Sequence, residues 1–91
     1  MDKRICSEIF KTTLKKWGVE AQYDQTIEEC AELITALKHL KRGRITEEEV
    51  VEELADVILM VHQLTFMLGE DRVCKAIDKK IYKLKQLLKM P

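Results

Sequence analysis

Ile27-Glu28-Glu29-Cys30-Ala31-Glu32-Leu33 and Glu52-Glu53-Leu54-Ala55-Asp56-Val57 are the two stretches on which the reading of this chain turns. Each carries acids three residues apart inside an amphipathic run. At about 100° and 1.5 Å per residue, positions three apart stand one turn up on nearly the same helix face. Glu29 is therefore beside Glu32, and Glu53 beside Asp56. Like charges at helical spacing oppose helix formation by roughly 0.2–0.5 kcal/mol per pair. Two such helices, folded antiparallel through a short loop, gather four carboxylates. Hard divalent cations are the natural partners of such an oxygen cluster. A solvated acidic face is the alternative, and periodicity alone leaves both open.

The surrounding chain is helical in pattern. Apolar residues at Ile5, Ile9, Phe10, Leu14 and Trp17 predict a first helix from Asp2 or Lys3 to Trp17, stopped by Gly18. A connector, Val19 to about Gln22, leads to a second helix that starts between Tyr23 and Thr26 and ends near Lys41. Ile27, Ala31, Ile34, Leu37 and Leu40 form its apolar stripe. Thr46 caps a third helix, and Glu49, three residues on, completes a capping box. That helix runs to about Leu68, before Gly69. From Val57 onward it is apolar nearly all round and needs cover on most sides. A fourth helix starts at Glu70 or Asp71, with a stripe of Val73, Ala76, Ile77, Ile81, Leu84, Leu87 and Leu88. The expected fold is all-α: an antiparallel bundle of about four helices in one domain over residues 1–91, completed by oligomerisation.

Ninety-one residues allow one small domain. The formal net charge is zero, so nothing in the total charge calls for nucleic acid or an acidic membrane. The distribution of charge says more. There is no Lys or Arg from Glu20 to Ala36, and none from Ile45 to Asp71. Cys6, Cys30 and Cys74 are odd in number, widely spaced and without a C-x-x-C pair, which fits reduced thiols in the cytoplasm. The start of the chain is amphipathic rather than leader-like, and the apolar run Val57–Leu68 is too short and too polar to span a bilayer. His39 and His62 make no metal pattern with the cysteines, which argues against zinc.

Carboxylates of this kind hold Mg²⁺, with Mn²⁺ as a substitute, and phosphate oxygens of a substrate complete the shell. The ion then polarises phosphorus and lowers the pKa of water. Glu28 and Glu52 adjoin the motifs about 100° round the helix and can orient that water or the metal ligands, which makes them the catalytic candidates. Gln63 lies two turns beyond Asp56.

Trp17-Gly18, Gln22, Ile27-Glu28-Glu29-x-x-Glu32-Leu33, Gly43, Glu52-Glu53-x-x-Asp56-Val57 and Gln63-Leu64 together resemble the MazG-like nucleoside triphosphate pyrophosphohydrolases of the all-α NTP pyrophosphatase superfamily, in their short single-domain form. The resemblance covers roughly Trp17 to Leu88. It implies Mg²⁺-dependent hydrolysis of the α–β phosphoanhydride of a (deoxy)nucleoside triphosphate, giving monophosphate and pyrophosphate. It also implies that Glu29, Glu32, Glu53 and Asp56 are the metal ligands and that the protein is a dimer or tetramer. Similar proteins carry K-x-x-R near the phosphates; here Lys80-Ile81-Tyr82-Lys83 stands in its place, and Lys cannot make the bidentate fork of Arg. Lys79, Lys80 and Lys83 are the phosphate-side candidates. Trp17, Gln22 and Gln63 are the other substrate-binding candidates, with Trp17 either stacking on a base or packing at a helix end. Two further readings stand beside this one. One is a non-catalytic helical module whose acidic groove binds a basic partner. The other is an enzyme of the same superfamily acting on phosphoribosyl-ATP.

Overall fold

The computed structural model describes residues 3–91, with side chains from Cys6 onward. Among the described residues the chain forms three helices and no strand: α1 (Lys3–Lys41), α2 (Glu47–Leu68) and α3 (Glu70–Leu87). The expected start at Asp2 and the side chain of Ile5 lie outside the described residues.

The first two expected helices are one element with a break. Gly18 alone leaves helical geometry, at φ 87° and ψ 172°. An L side chain rarely adopts that conformation, whereas glycine reaches it without a Cβ clash. The connector expected at Val19–Gln22 is helical instead, because one glycine is enough to redirect the chain. Gln22 Nε2 then donates to the Thr13 carbonyl at 3.4 Å and ties the two segments across the break.

At its far end α1 stops as the pattern predicts. Gly43, at φ 68°, donates its backbone N–H to Leu40 O at 2.9 Å, and Arg44 donates to His39 O at 2.9 Å. The capping box opens α2: Glu49 N–H donates to Thr46 Oγ1 at 3.4 Å, and Thr46 N–H donates to Glu49 Oε2 at 3.0 Å. Gly69 ends α2 and also begins α3, at φ 111°. α3 starts at Glu70, one of the two expected positions, and Gly69, which has no side chain to offer, holds the cap position.

The segment of α1 after Gly18 runs antiparallel to α2. His39 and Thr35 share a cavity with Glu49, Glu29 meets Glu53 and Asp56, and Gln22 and Gln25 share a cavity with Leu59, Met60 and Gln63. The segment before Gly18 folds back beside the second half of α2, where the rings of Phe10 and Phe66 stand 6.3 Å apart. Thr13 Oγ1 donates to Gln63 Oε1 at 2.7 Å, and Gln63 Nε2 donates to Phe10 O at 3.1 Å. These bonds satisfy an amide that is only 3% exposed and fix the segment before Gly18 to α2, while the Gln22–Thr13 bond ties in the segment after it.

The interior is slight. Among the described side chains, Phe10 and Ala36 are the buried apolar residues. The stripe expected to bury the second helix, Ile27, Ala31, Ile34 and Leu37, points outward; Ile27 is 67% exposed and Ile34 57%. The seam facing α2 is instead Gln22, Glu29, Leu33, Ala36 and Leu40, which brings the acids inward and leaves the aliphatic residues uncovered. α3 packs against α2 near their junction and extends away, exposed from Cys74 onward. The radius of gyration is 15.9 Å, against about 12 Å expected for a compact chain of this length.

Candidate active site

Three of the four carboxylates singled out from sequence converge between α1 and α2. Glu29, Glu53 and Asp56 each place an oxygen within 4.8 Å of the others. Glu29 and Glu53 are half-buried, and each keeps a buried oxygen, Oε2, with no hydrogen-bond partner. Burying a carboxylate oxygen unpaired is costly, so the arrangement calls for a positive group.

Glu32, the fourth, flanks this trio. It lines the same cavity as Glu53 and is near enough to feel that carboxylate's charge. Partial desolvation, followed by the charges of Glu53 and Glu28, holds its carboxyl above the ordinary value of 4.5. Glu29 is raised for similar reasons: desolvation first, then the charges of Glu32 and Asp56, with a hydrogen bond from Gln25 working the other way. Both shifts have the same physical causes: partial removal from water first, and the charge of neighbouring carboxylates after it.

Two cavities adjoin the cluster. On the loop side, Glu28, Glu32, Glu53 and Glu49 line an open cavity of about 430 Å³ with Thr35 and His39. Glu52 is exposed on α2 beside Glu53. On the Gly18 side lies a larger, mainly apolar cavity of about 640 Å³. Ile9, Phe10, Leu59 and Met60 supply its apolar wall, and Thr13, Gln22, Gln25 and Gln63 its polar points. Trp17, 59% exposed, stands at its edge with Lys16 Nζ 5.1 Å from the ring centroid. Gln22 and Gln63 are buried in the wall, and both use their amide N–H groups on backbone carbonyls.

Lys79, Lys80 and Lys83 are not brought to the acids within one chain. They line a surface hollow made by α3 residues alone, with Tyr82 and Gln86. Gln25, which the sequence reading passed over, joins the larger cavity to the acids: it lines that cavity and donates from Nε2 to Glu29 Oε1 at 2.7 Å. Its spacing, one turn before Glu29, is the signal by which it can be found. His39 was set aside because it makes no zinc pattern, yet it lies at the mouth of the acidic cavity.

The family profile described as the MazG nucleotide pyrophosphohydrolase domain matches residues 18–86. The chain belongs to the MazG family. The match opens at the Gly18 break, so it takes in both acidic motifs, the helical hairpin that pairs them and nearly all of α3. Comparison with curated proteins and with solved structures gives no match. MazG membership assigns the chain to the nucleotide pyrophosphohydrolases, which are divalent-metal enzymes in general, and the all-helical architecture agrees with it.

Proposed function

We propose that this MazG-family chain is a Mg²⁺-dependent enzyme that hydrolyses the α–β phosphoanhydride of a nucleoside triphosphate. Water oxygen bonds to the α-phosphorus, the bridging P–O bond breaks, and the monophosphate and pyrophosphate leave. The observation that carries this reading is the pair of buried, unpartnered oxygens, Glu29 Oε2 and Glu53 Oε2, in a cluster with Asp56. A set of carboxylate oxygens alone fits a hard cation such as Mg²⁺ or Mn²⁺ rather than zinc. Glu29, Glu53 and Asp56, with Glu32 at their flank, would hold it. When bound, such an ion neutralises the phosphate oxygens and polarises phosphorus.

The protein's own side chains do the rest. Glu28 borders the open acidic cavity and takes the proton from the attacking water in this reading, while Glu52, beside Glu53, steadies the ligand next to it. The larger cavity receives the base. Its apolar wall and few polar points have the character of a small-molecule site, with Trp17 stacking at the rim and Gln22 and Gln63 shaping the floor.

The working form is a homodimer or homotetramer of one domain spanning residues 1–91. Ile27, Ile34, Ile58, Val61, Ile77 and Ile81 are each more than two-fifths exposed, and a second copy covers such a surface best. In that assembly the α3 lysines, Lys79, Lys80 and Lys83, reach the phosphates of a neighbouring chain's substrate. Nucleoside triphosphates place the enzyme in the cytoplasm. Among the described residues, no helix is long and apolar enough to cross a membrane.

A pyrophosphate-release screen over canonical and modified nucleoside triphosphates, with Mg²⁺ and with Mn²⁺, tests this function. At least one nucleotide is expected to yield pyrophosphate only when the ion is present. No release from any nucleotide, or full release after chelation, would remove the assignment.

A further inference from the structure

We infer that Gln25 is a positioning residue: its amide holds one oxygen of Glu29 so that the other is presented to the carboxylate cluster. The inference rests on the proposed metal site and adds a residue to its support. Glu29 has two oxygens with different surroundings. Oε1 accepts from Gln25 Nε2 at 2.7 Å, and Oε2 is buried with no partner. A Glu carboxylate turns broadly about its last torsion, so nothing intrinsic to Glu29 fixes the plane in which its free oxygen faces the cluster. The bond from Gln25 fixes that plane. It stands one turn earlier on the same face of α1 and shares the helix that carries Glu29, so the bond needs no tertiary rearrangement to form.

The same side chain faces the larger, mainly apolar cavity. Gln25 lines it together with Trp17, Ala21 and Met60. One N–H of its amide is committed to Glu29, which leaves the second N–H and the carbonyl open to a ligand in that cavity. A molecule seated there that offers a hydrogen-bond donor to Gln25 tightens the hold on Glu29. Gln25 thus connects the two ends of the site, the apolar hollow and the carboxylates, through one amide. An ordinary pair of helix-surface residues would do none of this; it would contribute only to helix stability.

Mn²⁺ affinity of the full-length protein separates these roles. Mn²⁺ binding is measured by the loss of its free-ion paramagnetic resonance signal, in the wild type, in Gln25→Leu and in Glu29→Gln, together with the metal-free melting temperature of each. Leu keeps helix propensity and most of the volume while removing the donor. Residues that orient metal ligands typically cost 10–100-fold in affinity when removed, so Gln25→Leu is expected to bind Mn²⁺ roughly 10-fold or more weakly at an unchanged metal-free melting temperature. Glu29→Gln is expected to bind more weakly still. Gln25→Leu binding within twofold of wild type, or weaker binding accompanied by an equal loss of fold stability, overturns the positioning role while leaving the metal site standing. A wild type that binds no Mn²⁺ overturns the metal site itself, and this inference with it.

Discussion

Glu29 and Glu32 make the metal-free protein sensitive to pH in a direction opposite to carboxylates held in ion pairs. Both hold their protons more tightly in the folded chain than the ordinary value of 4.5. The folded state therefore binds more protons than the unfolded one between that value and the raised pKa. Their contribution to stability is present below about pH 4.5 and is lost as pH rises through the folded pKa values. The melting temperature of a Glu29→Gln/Glu32→Gln variant, compared with wild type without metal, is expected to stand increasingly above wild type as pH rises through that window. Saturating Mg²⁺ should reverse the order at neutral pH, because the wild type alone gains the ion's binding energy. A difference that does not change with pH would mean that neither carboxyl is raised in the folded chain.

The break at Gly18 is where the sequence pattern said least and the backbone says most. Glycine was readable as a stop signal, and Thr46 with Glu49 as a start signal, because caps are local chemistry. Whether Gly18 begins a loop or a single-residue turn depends on what the two segments meet, and Gln22, Thr13, Gln63 and Phe10 settle that through contacts far apart in sequence. The outward orientation of Ile27 and Ile34 escaped the sequence for the same reason. Periodicity identifies a stripe but does not say which stripe turns inward when an acidic seam competes. The acidic pairs themselves were plain in sequence, and so was their convergence once a short loop joined two helices. Gly18→Ala tests the turn. A Cβ there would meet no atom within 4 Å, so any loss is backbone strain alone. The expected cost is about 1–3 kcal/mol, read from denaturant unfolding. A variant as stable as wild type would show that the segments can meet without the turn.

Among the described side chains two apolar residues are buried, and α3 leaves the bundle, which is a small core for a chain of this length. The acids lie on α1 and α2 and the lysines crowd α3, so in the proposed assembly copies of the chain would complement each other in charge as well as in apolar surface. Light scattering at micromolar concentration is expected to give the mass of a dimer or tetramer of the 10.7 kDa chain. Ile81→Glu, on the exposed stripe of α3, should shift it toward monomer and lower the melting temperature. A stable wild-type monomer would contradict the assembly and, with it, the delivery of Lys79, Lys80 and Lys83 to a neighbour's substrate.

In the proposed function the Glu29–Glu53–Asp56 cluster supports α–β cleavage of a nucleoside triphosphate, and phosphorus NMR of the products, from wild type and from Glu53→Gln at saturating Mg²⁺, tests it. Glu53→Gln keeps the shape, removes one charge and weakens one ligand. The account predicts monophosphate and pyrophosphate from the wild type and a loss of both in Glu53→Gln of at least about 100-fold, on the scale of a lost charge-stabilising group. The metal-free variant should be no less stable than wild type. Diphosphate and orthophosphate from the wild type, or near-normal turnover in Glu53→Gln, would contradict it.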